Sequence, residues 1–81
     1  MRLDKFLKNS RLIKRRTIAK EACDERRVSV NGRIAKPGTE GEQGDTIHIE
    51  FGMSSITVRI VNVADSVRKD DAAGMYEVIN G

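Results

Sequence analysis

Apolar residues near the start of the chain recur with helical spacing. Leu3, Phe6 and Leu7 stand at i, i+3 and i+4 and therefore share one face of a helix. Asp4 suits the first turn, near the positive end of the helix dipole. This pattern predicts a short helix over residues 2–9.

A second apolar stripe predicts a longer helix over residues 15–27. The stripe is formed by Ile18, Ala19, Ala22 and Cys23. On a helical wheel, basic residues lie on one side of the stripe and acidic residues on the other, while Arg26 falls inside the stripe. We therefore expect one buried face and a separate basic flank.

From residue 28 onward the pattern alternates with period two, which is typical of strands. Asn31-Gly32 between two short apolar runs predicts a type I′ hairpin. Residues 46–51 predict a strand with Ile47, Ile49 and Phe51 on its core face.

The rest of the chain predicts two further strands. A turn at residues 52–54 precedes a strand that ends or bulges where the alternation changes phase, at Val61. Residues 65–74 predict a loop or weak helical turn, and residues 76–79 a last strand. The expected fold class is α+β, with two N-terminal helices packed beside a small antiparallel sheet.

The composition limits the chemistry that 81 residues can perform. The chain predicts one domain over residues 1–81, and with only three aromatic side chains a large substrate cavity is not expected. One cysteine and one histidine cannot supply a structural zinc site, so we expect no metal and no cofactor. No apolar run exceeds two residues, which favours a cytoplasmic protein without a membrane partner.

Charge is distributed unevenly along the chain. Residues 1–36 hold twelve of the fifteen Lys and Arg residues against four acids, a formal charge of +8, whereas residues 37–81 carry −5. A concentrated basic surface attracts polyanions, although a solvated polar face is the simpler alternative. The charge pattern favours nucleic acid as the partner.

The candidates for catalysis are weak. His48 alternates with apolar neighbours on the predicted solvent face, and Cys23 lies at the edge of the buried stripe, where packing is the usual role. Asp70-Asp71 is typical of a solvated pair. We therefore expect no catalytic residues and no enzyme.

Five short motifs in order resemble the RNA-binding domain named after ribosomal protein S4, also called the αL motif. They are Arg2-Leu3-Asp4-Lys5, Arg15-Arg16 followed by Ala19, Val28-Ser29-Val30-Asn31-Gly32, Lys36-Pro37 and Gly44-Asp45-Thr46-Ile47. They place a motif core at about residues 1–51 and a strand extension at 52–81. The opening and the tail of the chain are similar to the stand-alone RqcP group, relatives of heat-shock protein 15.

The resemblance implies a protein that binds the large ribosomal subunit, contacting ribosomal RNA and tRNA. We also expect a monomer. In the RqcP group such proteins act in ribosome-associated quality control of stalled nascent chains, and RqcH is their partner protein. Residues that match RNA-facing positions of the family, or extend that surface to its rim, are Arg2, Lys5, Arg11, Lys14, Arg15, Arg16, Lys20, Arg27 and Lys36. An ion pair with Asp4 is the alternative role for Arg16.

Two positions depart from the family pattern. Arg26 stands where glycine usually follows the second helix, so this residue adopts a strained left-handed backbone or the helix ends differently. Gly41 stands where an apolar residue is common, and we expect it to weaken the sheet edge locally.

The sequence is compatible with three alternative functions. The chain could be a protein-binding adaptor through its acidic half, the RNA-binding subunit of an RNA-modifying enzyme whose catalytic chain is separate, or a DNA-binding protein. The scarcity of aromatic residues argues against base stacking on single strands and favours recognition of a folded RNA by backbone and shape.

Overall fold

The computed structural model of the chain describes residues 1–64 and 68–80. Its elements in chain order are α1 (Leu3–Asn9), α2 (Arg16–Asp24), β1 (Val28–Val30), β2 (Arg33–Ile34), β3 (Thr46–Phe51), β4 (Ser54–Ile60), a 3₁₀ helix (Lys69–Met75) and β5 (Tyr76–Asn80). All strand pairs are antiparallel, in the order β2-β1-β3-β4-β5. The predicted α+β fold, with two helices beside an antiparallel sheet, is confirmed.

One hydrophobic core lies between the two helices and one face of the sheet. Leu3, Phe6 and Leu7 of α1 are fully buried, and they pack in one cluster with Ile47 and Ile49 of β3. The alternation predicted for β3 is therefore observed as far as Ile49. No helix in the described part of the chain is long and apolar enough to cross a membrane.

The hairpin between β1 and β2 has the predicted two-residue turn. Asn31 and Gly32 have φ angles of 52° and 83°, and Val30 pairs with Arg33 across the turn. The Asn31 side-chain oxygen also accepts a hydrogen bond from the Thr46 amide, 3.0 Å away. The turn therefore connects the hairpin to the start of β3.

Helix α2 ends at Asp24, three residues before the predicted end. Arg26 has φ 62°, and its amide donates to the Cys23 carbonyl while the Arg27 amide donates to the Ala22 carbonyl, both at 3.0 Å. These two bonds are those of a Schellman motif, which normally uses glycine at the left-handed position. Of the two expected alternatives for Arg26, the structure therefore has the left-handed backbone. The prediction that Arg26 lies inside the buried stripe is wrong, because this residue lies beyond the helix and is exposed.

Two side chains that were predicted to be buried are exposed. Ile18 is 48% exposed because α2 meets the core mainly through Ala19 and Cys23. Phe51 is 44% exposed because it is the last residue before the β3–β4 turn, where nothing covers the end of the hairpin among the described residues. The core is therefore smaller at both places than the pattern suggests.

Gly41 lies outside the five strands, in a buried position against the chain start. Its amide donates to the Met1 carbonyl at 2.8 Å, and an added Cβ would lie 3.1 Å from the Ile60 Cδ1 atom. The expected position of Gly41 on a sheet edge is wrong. The missing side chain instead allows this close approach.

The C-terminal part follows the sequence prediction where the structure describes it. β4 ends at Ile60, where the phase changes, and a register shift lies within the β4–β5 pairing at Thr57/Val58. Of the loop or weak helical turn predicted at 65–74, residues 65–67 lie outside the described residues and the remainder is mainly the 3₁₀ helix. β5 confirms the last predicted strand.

The left-handed Arg26 gives a stability prediction. Arg26→Gly should raise the free energy of unfolding by about 1 kcal/mol, because glycine adopts positive φ without a Cβ clash. In a domain of this size the melting temperature should rise by roughly 4 to 8 °C in a thermal melt followed by circular dichroism. Arg27→Gly is the matched control, since φ at this position is not positive, and it should lower the melting temperature. A lower melting temperature for Arg26→Gly would contradict the assigned backbone.

Candidate nucleic-acid interface

The carboxylate of Asp4 joins two arginines that are far apart in sequence. Arg2 donates from Nε to Oδ1 and from Nη2 to Oδ2, each at 3.3 Å. Arg16, the first residue of α2, donates from Nε to Oδ2, also at 3.3 Å. The amide of Lys5 completes the set with a 2.8 Å bond to Oδ1. This arrangement, named here the Asp4 cluster, consists of Arg2, Asp4 and Arg16.

The rotation of α1 explains why Asp4 is buried. Leu3 and Leu7 turn their side of the helix toward the core, and Asp4 lies beside them because residues 4 and 7 share a face. Asp4 is only 2% exposed, so its charge requires partners. Arg2 and Arg16 supply them from the edge of the protein.

Burial alone would raise the pKa of Asp4, but the hydrogen bonds to its carboxylate outweigh that effect. Those from Arg2 and then Arg16 contribute most, followed by the Lys5 amide and the positive charge of Arg16. The net result is a pKa below the ordinary value for aspartate. Asp4 is therefore an anion at neutral pH and holds both guanidinium groups in place.

Both arginines keep part of their surface available to a ligand. The side chains of Arg2 and Arg16 are 52% and 50% exposed. Arg16 uses only Nε toward Asp4, so its two Nη groups retain their donors for another acceptor. The ion pair expected as the alternative role for Arg16 is present, and it leaves the outer part of the guanidinium exposed.

The segment after β2 holds the start of α1 from the other side. The amides of Leu3 and Asp4 donate to the carbonyls of Thr39 and Pro37, at 2.8 and 3.1 Å. These bonds satisfy donors of the first helical turn that have no partner inside the helix. The Arg2 guanidinium carbon would lie 3.9 Å from a Cβ at Gly38. Residues 36–39 therefore lie against the Asp4 cluster.

The other predicted RNA-facing residues lie on several elements of the fold. Lys5 lies in α1 and is half-buried, and the rest are exposed: Arg11, Lys14 and Arg15 between the helices, Lys20 in α2, Arg27 before β1 and Lys36 after β2. Within residues 1–64 and 68–80, no ion pair or side-chain hydrogen bond joins any of these exposed residues to Asp4. They are therefore not parts of the Asp4 cluster.

Two of these residues differ from the sequence expectation. Arg27 forms an ion pair with Glu25, 2.9 Å from Nη2 to Oε2, which reduces its local positive charge. Arg11 has φ 62° and follows α1 in the same left-handed conformation as Arg26 after α2. No sequence signal marked Arg11, because the glycine that usually indicates this conformation is absent.

Sequence reasoning missed the pairing of Arg2 with Asp4. The available signal was the position of Asp4 between Leu3 and Phe6, on the edge of an apolar face, where a carboxylate needs cationic partners. Which cations those are depends on the packing of α2 against α1. That packing cannot be read from spacing alone.

The two residues considered as catalytic candidates, Cys23 and His48, have surroundings typical of packing and of the sheet surface. Cys23 is buried, and burial followed by the nearby charges of Asp4 and Asp24 raises the pKa of its thiol to about 11. His48 lies half-buried on the outer face of the sheet, with Nδ1 2.9 Å from the Thr57 hydroxyl. Across the described residues, no group of three or more His, Cys, Asp or Glu side chains could hold a metal ion.

Comparison with known proteins places this geometry in a family. The S4 domain profile matches residues 1–47. Over 78 residues the chain is 58% identical to the RQC P-site tRNA stabilizing factor of Halalkalibacterium halodurans, covering 96% of this chain and 89% of that protein. It is 51% identical to the protein of the same name from Streptococcus pneumoniae, over 99% of this chain and 91% of that one.

A solved structure shows the same fold. Heat shock protein 15 of Vibrio cholerae, described as trimeric, superimposes with a TM-score of 0.89 at 32% identity, covering 96% of this chain and 80% of that one. The matched residues 1–47 include the Asp4 cluster and the segment that holds it. The chain belongs to the S4 domain family, in the group of the RQC P-site tRNA stabilizing factors.

Proposed function

We propose that this protein binds the large ribosomal subunit and its tRNA during ribosome-associated quality control, and that it stabilises tRNA in the P site. The observation that carries the proposal is the Asp4 cluster, in which one buried carboxylate fixes two half-exposed arginines. Fixed guanidinium groups suit phosphate oxygens, because their donors are oriented before the ligand arrives. The names of the relatives supply the ribosomal context.

Recognition should depend on the RNA backbone and shape. Phe6 is buried in the core, while Phe51 and Tyr76 lie in strands of the sheet, so none of the three aromatic side chains lies in the Asp4 cluster. Arginine contacts with phosphate position a protein on folded RNA without reading its bases. All nine basic residues predicted from the sequence remain in the proposed interface, with Arg2 and Arg16 at its centre.

The protein acts by binding in this proposal, and catalysis is not part of its role. A thiol with a pKa of about 11 is protonated at neutral pH and is a poor nucleophile. RqcH remains a proposed partner. We also propose a cytoplasmic location, a monomeric state and a single domain over residues 1–81. Light scattering on the purified protein tests the monomer against the trimeric state of the Vibrio cholerae relative.

Binding to structured RNA should weaken with salt. If about five phosphates are neutralised, the logarithm of the association constant should fall against the logarithm of salt with a slope of about −3.5 to −4.5. Fluorescence anisotropy with a tRNA and with duplex DNA of equal length measures the slope and separates RNA from DNA. A flat salt response, or equal affinity for the duplex DNA, would contradict the proposal.

The role of Arg16 can be separated from general charge. Arg16→Ala should weaken RNA binding by about 1 to 3 kcal/mol, because it removes a charge-assisted contact to phosphate. It should change the free energy of unfolding by less than about 1 kcal/mol, since the ion pair is half-exposed and Arg2 still binds Asp4.

Arg59 provides the matched control for Arg16. It is 51% exposed and pairs with Glu77 at 2.7 Å, but it lies on β4. Arg59→Ala should leave RNA affinity unchanged. Equal losses of affinity in both variants would show that net charge alone drives binding.

The low pKa of Asp4 predicts a pH-dependent contribution to stability. A carboxylate with a folded pKa below its unfolded pKa stabilises the fold above the unfolded pKa, and this contribution is lost as pH falls through the folded pKa. Asp4→Asn should therefore melt lower than the parent at neutral pH, and the difference should shrink at acidic pH.

The exposed Asp71 supplies the control for this measurement. Asp71→Asn should melt close to the parent at both pH values when unfolding is followed by circular dichroism. A gap between the parent and Asp4→Asn that stays constant with pH would contradict the assigned charge state of Asp4.

A further inference from the structure

An open cleft lies between the C-terminal end of α2 and the segment that follows the β1–β2 hairpin. Its volume is about 430 Å³, within the range of small-molecule sites in proteins. Cys23 and Arg26 line it on the helix side, and Ile34, Lys36 and Pro37 line it on the other. The cleft lies outside the Asp4 cluster, and among its lining residues Lys36 also belongs to the proposed interface.

The lining of the cleft combines apolar and cationic surface. Ile34 is 60% exposed although it is a large aliphatic residue, and Pro37 is half-buried beside it. Arg26 and Lys36 are exposed cations, and Asp24 is the acid on the lining. The Cys23 thiol stays neutral because its pKa is about 11, so the lining keeps a net positive charge.

Arg26 combines a left-handed backbone conformation with an exposed side chain at the edge of the cleft. A non-glycine residue at φ 62° carries a conformational cost that glycine would avoid. Within residues 1–64 and 68–80, the Arg26 guanidinium has no ion pair or hydrogen bond that would offset the cost. Its location on the cleft lining suits an anionic ligand.

The cleft is continuous with the proposed RNA interface. Pro37 lines the cleft, and its carbonyl accepts the hydrogen bond from the Asp4 amide at 3.1 Å. The next residue, Gly38, lies against the Arg2 guanidinium. Because Gly38 follows Pro37 directly in the chain, an RNA strand bound by Arg2 would pass beside the cleft.

We propose that this cleft receives one unpaired nucleotide of the bound RNA. Its base packs against Ile34 and Pro37, and its phosphates contact Arg26 and Lys36. The Asp24 carboxylate can accept a hydrogen bond from an exocyclic amino group of the base. This inference rests on the proposed RNA-binding function, and the charge of the lining favours a nucleotide over an apolar segment of a protein partner.

The test compares two RNA hairpins that differ by one bulged base. One hairpin has a fully paired stem, and the other carries a single bulged 2-aminopurine, which reports the surroundings of the base by its fluorescence. The parent protein should bind the bulged hairpin about tenfold more tightly, and the fluorescence should change as the base enters the cleft. Both affinities are measured by competition at fixed salt.

Variants of the cleft should remove the preference without removing RNA binding. Ile34→Ser should reduce the preference for the bulged hairpin to about twofold or less. Arg26→Gly should do the same while raising the melting temperature, which separates loss of contact from loss of fold. Ile79→Ser is the matched control, because Ile79 is a similarly exposed isoleucine on β5, at the opposite edge of the sheet.

The outcomes distinguish this inference from the proposed function. Salt-dependent binding of both hairpins with equal affinity would overturn the cleft proposal and leave RNA binding intact. Binding of neither hairpin would overturn both. A preference that survives Ile34→Ser with an unchanged fluorescence response would show that the bulged base binds elsewhere, and the cleft would then suit a protein side chain.

Discussion

Burial of the Asp4 carboxylate is the constraint on which the interface depends. A charge that is 2% exposed must be compensated, and here the compensation comes from Arg2 at the start of α1 and Arg16 at the start of α2. The same contacts that satisfy the acid determine where the two arginines lie. The proposed interface is in this way fixed by the interior of the protein, so a bound RNA would not have to order flexible side chains.

Much of the fold could be predicted because the three central strands, β1, β3 and β4, each have one face on the core. Alternation at Ile47 and Ile49 and the Asn31-Gly32 turn are local signals, and both were realised. The errors arose where the extent of a neighbouring element decides the outcome. Phe51 is exposed because the hairpin end is uncovered, and α2 stops early because an arginine occupies the left-handed position that glycine usually marks.

The candidate site was predicted less completely for a similar reason. Basic residues at family positions predicted a candidate RNA surface. Spacing could not show that Arg2 and Arg16, fourteen positions apart, bind one carboxylate. The cleft beside Arg26 combines α2 with the segment after β2, and no motif covers both. These features depend on how the helices and strands pack together, which cannot be read directly from a single sequence.

The strand order has a consequence for how the protein approaches a polyanion. Arg33 lies in β2 at one edge of the sheet, whereas at the other edge Glu77 of β5 is paired with Arg59. The molecule is 28 Å long, and the Debye length at physiological salt is about 8 Å. The paired charges at the β5 edge therefore neither attract a polyanion nor cancel the attraction felt by the β2 edge. Encounters should occur with the β2 edge leading.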